Sequence, residues 1–160
     1  MRTCWTIALA AAAASLAAGA ALSAQPLTPA ALKPCTFSLP EVAAAFGVEL
    51  QRAEVADMTI PGGRDVGCLY SVKGGDFVFG VRQTWDSTRP ASGASAGAMS
   101  GYRAIAGDPD GAVFQTDSAG GGSGELVYIR GKVQTRVFWH GGNLGSADGL
   151  QRLLLLRRVP

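Results

Sequence analysis

Two cysteines constrain this chain most, because one precedes a capped helix pattern and the other lies within an alternating strand pattern. Cys35 stands three residues before Ser38, which together with Glu41 forms a capping box at a helix N-terminus. Apolar residues then recur at helical spacing until Gly47, a residue typical of helix C-termini. Cys68 lies in a run where apolar residues alternate, as they do in a half-buried strand. A bond between the two cysteines would hold a helix against a sheet.

The first 24 residues predict export. Arg2 supplies a positive charge, residues 6–22 are uncharged and rich in Ala and Leu, and Leu22-Ser23-Ala24 offers small residues before a cleavage point. This pattern is typical of a secretory signal peptide over residues 1–24, with Ala18-Gly19-Ala20 as a second cleavage site. The alternative is an uncleaved anchor, but a spanning helix needs about 20 apolar residues. We therefore expect a periplasmic or secreted protein with no stable membrane span after cleavage.

The cysteine count then favours a disulfide. Cys4 leaves with the signal peptide, so Cys35 and Cys68 remain. Two cysteines in an exported chain most often pair, and the loop they close would stabilise the fold by about 3.5–4 kcal/mol in the chain-entropy description. A catalytic thiol or a metal pair is the alternative, yet His140 is the single histidine that could accompany either.

Length and charge indicate one domain without a nucleic-acid footprint. Lys and Arg number 14 against 12 Asp and Glu, which gives a formal net charge of +2, and the basic residues form no cluster of the kind that contacts phosphate backbones. We expect residues 25–34 to form a proline-containing N-terminal arm and residues 35–160 to form a single domain.

Periodicity and turn residues predict an α+β fold. Expected strands cover residues 48–55, 66–72, 77–85, 112–116, 125–130 and 132–140, with a loop from Asp57 to Asp65 and hairpin turns at Gly74-Gly75 and Arg130-Gly131. Expected helices follow Ser38, cover residues 91–106, and begin near Ser146. The prediction is a single antiparallel sheet of about six strands, with two or three helices packed on one face and one disulfide.

No arrangement of residues predicts a catalytic site, a metal site or a bound cofactor. The glycines at 120–124 precede a strand, whereas a phosphate-binding loop precedes a helix. Asp108-Pro109-Asp110-Gly111 is typical of a turn, with acid–base catalysis or calcium binding as alternatives. His140 has no nucleophile or orienting acid nearby in the sequence.

One segment predicts a binding surface. The second hairpin combines cationic and aromatic residues, and Arg82 on the first hairpin is a further candidate; the hairpin residues are Arg130, Lys132, Arg136, Phe138 and His140. Such a surface suits a protein partner, since arginine and aromatic residues are enriched at interfaces, or a small anionic ligand. The alternative is a solvated sheet face with ordinary cross-strand pairs.

Several short segments resemble the DUF3558-like exported bacterial proteins of unknown function. They are Pro34-Cys35, the helix pattern from Leu39 to Gly47, Gly67-Cys68-Leu69-Tyr70, Gly107-Asp108 ahead of Ala112-Val113, and the closing segment from Leu150 to Arg158. The resemblance implies a secreted, disulfide-tied α+β domain, and it implies no catalytic residues.

The functional expectation is an exported, non-enzymatic binding or envelope-associated domain. A proteinaceous inhibitor of a secreted hydrolase is the alternative, and an enzyme is a third possibility that would need His140 beside a carboxylate in a pocket.

Overall fold

The protein is described by a computed structural model over residues 28–89, 101–116, 122–142 and 144–159. The predicted signal peptide lies outside these residues, as does the predicted glycine loop up to Gly121. Within them the chain forms a seven-stranded antiparallel sheet and two α-helices, and its strand order is β1-β2-β3-β7-β6-β5-β4.

The described residues form one 3-10 turn, two α-helices and seven strands. A 3-10 turn at Pro29–Ala31 precedes α1 (Leu39–Phe46), β1 (Leu50–Ile60), β2 (Gly63–Val72), β3 (Val78–Asp86), β4 (Arg103–Ala104), β5 (Val113–Thr116), β6 (Ser123–Arg130), β7 (Val133–His140) and α2 (Ser146–Leu155). The predicted antiparallel α+β architecture is confirmed, and the sheet is one strand larger than expected.

The first helix forms as its sequence predicts. The Ser38 hydroxyl accepts a hydrogen bond from the Glu41 backbone N–H at 3.3 Å, and the Glu41 carboxylate accepts one from the Ser38 N–H at 2.8 Å. Gly47 ends the helix with a left-handed φ of 66°, a conformation that costs glycine little. Backbone donation from Ser38 and the neighbouring Arg157 guanidinium lower the pKa of Glu41.

Both helices cover the same face of the sheet. Their apolar side chains join those of the strands in one buried cluster, which includes Val42, Phe46, Tyr70, Phe79 and Leu153. Cys35 and Cys68 form a disulfide, which ties the segment ahead of α1 to the middle of β2. Alternation of side chains along each strand therefore divides the sheet into a covered face and the opposite face.

Trp139 lies at the centre of the covered face, where two glycines make room for it. A methyl group on either Gly124 of β6 or Gly149 of α2 would overlap the Trp139 indole. Phe114 stacks on the indole at a centroid distance of 6.1 Å. The glycine within α2 thus permits close packing of the helix on the sheet, despite its low helix propensity.

Both ends of the described chain pack on the domain. Leu32, in the predicted N-terminal arm, is buried against Val66 and Val133, so this part of the arm is packed rather than loose. At the other end Val159 is buried, and its backbone N–H donates to the Tyr128 hydroxyl at 3.0 Å.

Two predicted elements differ from the structure. The predicted loop from Asp57 to Asp65 is wrong, because β1 continues to Ile60 and β2 starts at Gly63, joined by a tight turn in which Gly62 has a φ of 75°. The predicted helix over 91–106 lies partly outside the described residues, but Arg103–Ala104 pair with β5 as a short strand, and this extra pairing is what enlarges the sheet.

Candidate interaction surface

The face of the sheet opposite the helices, here named the open face, holds the side chains that alternate with the core residues. In β2, Cys68 and Tyr70 are buried on the covered face, so Leu69 between them lies on the open face. Strand pairing sets Gly80 opposite Leu69 and Phe138 opposite Gly80. The open face therefore extends across both predicted hairpins, from β2 and β3 to β7.

Apolar side chains form the centre of the open face. The Phe138 ring lies over Gly80, where a side chain would overlap it. Beside the ring, Leu69 and Met58 are 43% and 52% exposed, and a shallow groove of about 290 Å³ runs among these side chains and over Gly67. Exposed apolar groups that cluster around a groove are typical of contact surfaces.

Two arginines border this apolar centre, and each is paired with a carboxylate. Arg82 Nε donates to both oxygens of Asp65, at 2.9 and 2.8 Å, and Asp65 is only 4% exposed. Arg136, directly opposite Arg82 in the β3–β7 pairing, lies 3.3 Å from Glu125 Oε1. The hydrogen bonds with Asp65 raise the pKa of Arg82, so this guanidinium stays charged and oriented.

Tyr102 extends the same network. Its hydroxyl donates to the Glu125 carboxylate, and its ring packs near Val113 and Val127. Burial, together with the hydrogen bond to Glu125, raises the pKa of Tyr102 to about 12. Glu125 therefore accepts hydrogen bonds from both Tyr102 and Arg136 and joins them across the open face.

A second, larger depression of about 580 Å³ lies on the other side of Phe138. Gln115, Ser123, Glu125 and His140 contribute polar groups to its lining, and Ser123 is the cross-strand partner of His140. Within the described residues His140 makes no hydrogen bond or ion pair with a carboxylate.

The structure brings together three of the five predicted surface residues. Arg136, Phe138 and His140 alternate along β7 on the open face, and Arg82 joins them from β3.

Arg130 and Lys132 do not belong to this surface. Arg130 binds Asp110, with Nε–Oδ1 at 2.9 Å, and its guanidinium lies 5.7 Å from the Tyr128 ring centroid, on the covered side. Lys132 lies in the β6–β7 turn, where its ammonium donates to the Ser87 carbonyl at 2.6 Å. Arg130 lies on the covered side because it pairs with Val133 across the turn. Even-numbered residues therefore face the helices in β6, whereas odd-numbered residues face them in β7.

Sequence reasoning missed several residues of the open face, and for different reasons. Asp65 and Met58 fall within the loop that the sequence predicts from Asp57 to Asp65, so the prediction does not place them in strands. Leu69 could have been found, because it stands between two residues predicted to face the core. Glu125 and Tyr102 carried no signal, since their meeting depends on the pairing of β5 with β6.

Among residues 28–89, 101–116, 122–142 and 144–159, no group of three or more His, Cys, Asp or Glu side chains is placed to hold a metal ion. None of the helices in those ranges is long and apolar enough to cross a membrane. No protein-family model, curated protein or solved structure matches the chain.

Proposed function

We propose that this chain is an exported, non-enzymatic binding domain whose open face contacts a protein partner. The observation that carries the proposal is the exposure of Met58 and Leu69 around the Phe138 ring, on the sheet face opposite both helices. Methionine, arginine and aromatic residues are enriched in protein interfaces, and exposed apolar groups gain free energy when a partner removes them from water.

The charges of the open face favour a protein over a small anionic ligand. Arg82 and Arg136 are already paired with Asp65 and Glu125, so an anion would have to compete with two carboxylates. A protein surface can instead bury the apolar centre while the arginines keep their partners and donate their remaining N–H groups at the rim.

Inhibition of a secreted hydrolase is a narrower form of the same proposal. Arginine and aromatic side chains around an apolar centre would fit an enzyme as the partner. A panel of periplasmic and extracellular hydrolases assayed with the purified protein tests this form, and a lack of inhibition across the panel would leave the broader binding proposal in place.

Export remains part of the proposal. The signal-peptide pattern over residues 1–24 supports it, and so does the Cys35–Cys68 disulfide, since disulfides persist in oxidising compartments. The resemblance to DUF3558-like exported proteins agrees with this compartment.

Paired capture experiments test the proposed surface. The mature protein, Leu69→Asp and Leu155→Asp would each be immobilised and exposed to an extract of the compartment to which the chain is exported. Leu155 is the matched control, because it is an exposed leucine, 74% accessible, at the end of α2. We expect a protein enriched by the wild type and by Leu155→Asp to be reduced at least about tenfold on Leu69→Asp, since an interfacial charge without a partner is costly.

Equal enrichment on all three proteins would contradict the assignment to the open face. Turnover of a substrate by the purified protein that is lost on substitution of His140 would contradict its non-enzymatic character. Circular dichroism of each variant confirms that the fold is intact, which is expected because both leucines are solvent-exposed.

A further inference from the structure

A cavity of about 410 Å³ lies on the covered face of the sheet, between β3 and the chain ahead of α1. Its lining consists of residues 31–36, Gln83 of β3 and Arg157, which follows α2. Gln83 is next to Arg82 of the open face, so its side chain lies on the opposite side of the sheet. Small-molecule sites have volumes of about 300–1,000 Å³. The cavity is therefore large enough for a small ligand and is separate from the open face.

The segment that roofs this cavity is fixed on both sides of it. On one side Arg64 Nη1 donates to the Pro29 carbonyl at 2.7 Å, and the Leu32 side chain is buried in a small apolar cluster. On the other side the disulfide joins Cys35 to Cys68. Cys35 has a φ of 50°, a left-handed conformation that residues other than glycine rarely adopt and that recurs at ligand sites. The cavity is thus enclosed by a segment that the fold holds in place.

The charged groups that line the cavity are all cationic. Lys33 and Arg157 belong to the lining, and none of the lining residues is acidic. In the part of the chain that the structure describes, Lys33 has no carboxylate within ion-pair distance. Arg157 Nε donates to Glu41 at 2.9 Å, outside the lining, and its Nη2 donates to the Thr36 carbonyl. Two cations and one carboxylate leave a net local charge of about +1, with three of the five Arg157 N–H groups still to be paired.

Polar and apolar groups complete the lining. The Gln83 side chain, which is 2% exposed, brings an amide with both donors and an acceptor. The Thr36 hydroxyl is buried and has no hydrogen-bond partner within the described residues, so one polar group beside the cavity is left unsatisfied by the protein itself. Leu32, Pro34 and the disulfide add apolar surface. A matching ligand would combine one negative charge, a neutral hydrogen-bonding group and an apolar part.

We propose that this cavity binds a small organic monocarboxylate, with the carboxylate held by Arg157 and Lys33 and a neutral polar group hydrogen-bonded to Gln83. A planar guanidinium matches the two oxygens of a carboxylate. The net charge of about +1 favours a singly charged anion over a doubly charged phosphate. The site lies on the opposite face from the proposed protein contact, so neither proposal depends on the other.

Matched ligands test the charge requirement. Butyrate, benzoate and N-acetyl-leucine would each be titrated into the mature protein, with the corresponding primary amide as its neutral match and inorganic phosphate as a second anion. Calorimetry should show saturable binding of at least one carboxylate, with a dissociation constant of about 1 mM or tighter. Its amide and phosphate should each bind at least about tenfold more weakly.

Matched variants test the position of the site. Lys33→Glu should weaken carboxylate binding at least about tenfold, because it places a negative charge in the lining. Lys73→Glu changes the net charge equally at an exposed turn residue outside the lining, and we expect it to bind as the wild type does. Both lysines are exposed, and thermal unfolding of each variant verifies that its fold is retained.

Nuclear magnetic resonance locates the bound carboxylate. Backbone signals of Lys33 and Thr36 and the side-chain amide signal of Gln83 should shift during the titration. Binding by none of the three carboxylates, or binding of an amide or phosphate as tight as that of the carboxylate, would overturn the proposal. Equal weakening in Lys33→Glu and Lys73→Glu, or shifts confined to the open face, would overturn it as well.

Discussion

At the residue scale, the sequence predicts features that depend on neighbouring residues better than contacts between residues far apart in the chain. The capping box of Ser38 and Glu41 and the helix end at Gly47 depend on neighbours in the chain, and both features are confirmed. The partners of Asp65 and Glu125 depend on strand pairing, which the sequence does not state. The structure accordingly places Arg136, Phe138 and His140 together on the open face, and it places Arg130 on the covered side, which is set by the length of one turn.

The three tyrosines offer a residue-scale prediction. Burial raises the pKa of Tyr70 to about 12, burial with the Glu125 hydrogen bond raises that of Tyr102 to about 12, and burial raises that of Tyr128. Because these folded pKa values exceed the ordinary 10.0, the stability that the neutral hydroxyl groups contribute is fully present below pH 10 and is lost as the pH rises through the folded values, which are about 12 for Tyr70 and Tyr102. Ultraviolet titration of tyrosinate should show little ionisation at pH 10 in the native protein.

The same titration in denaturant is the control, with a midpoint expected near pH 10 for all three tyrosines. A native midpoint that coincides with the denatured one would contradict the burial of these hydroxyl groups. If Tyr70→Phe alone removed the resistance to ionisation at pH 10, that resistance would come from one tyrosine rather than from all three.

At the element scale, strong alternation identified the β2–β3 and β6–β7 hairpins, because each buries one face. The strand predicted over residues 48–55 ends before β1 does, at residue 55 rather than at Ile60. An edge strand that is exposed on both faces has no apolar alternation from which its length could be predicted. The glycines of the Pro61-Gly62-Gly63 segment suggested a wide loop, but the chain uses a tight turn there. A sequence predicts best those strands and helices in which buried residues recur at the spacing of a strand or a helix.

Helix α2 supplies an element-scale prediction. Alanine ordinarily stabilises a helix interior by about 1 kcal/mol relative to glycine. At Gly149 we expect the opposite, because the added methyl group would overlap the Trp139 indole, and overpacking costs about 1–3 kcal/mol. Urea unfolding of Gly149→Ala should show a lower free energy of unfolding than the wild type.

Gly145→Ala is the matched control, since nothing lies within 4 Å of the position of its added methyl group, and we expect a smaller change there. A stabilised Gly149→Ala would contradict the close packing of α2 on Trp139. A similar loss in both variants would show that the loss does not come from overlap with the indole.

At the scale of the whole molecule, one face of the sheet is covered by the two helices, the disulfide and both ends of the described chain. Leu32 and Val159 are buried from opposite ends of the chain, and Cys35 is fixed to β2. The sequence could predict the disulfide and the helices on one face. It could not predict that Met58, Leu69 and Phe138 would meet on the other, because three separate strands contribute them.

The proposed contact requires the open face to be accessible in the free protein and covered when a partner is bound, and thiol labelling measures both. Cys35 and Cys68 are bonded to each other, so Met58→Cys in the mature protein carries the single reactive thiol. We expect rapid labelling of Met58→Cys by an aqueous maleimide, slowed at least about fivefold by the export-compartment extract, while Leu155→Cys is labelled equally with and without the extract. Slow labelling of Met58→Cys in buffer, or the same response at both positions, would contradict the open face as the contact surface.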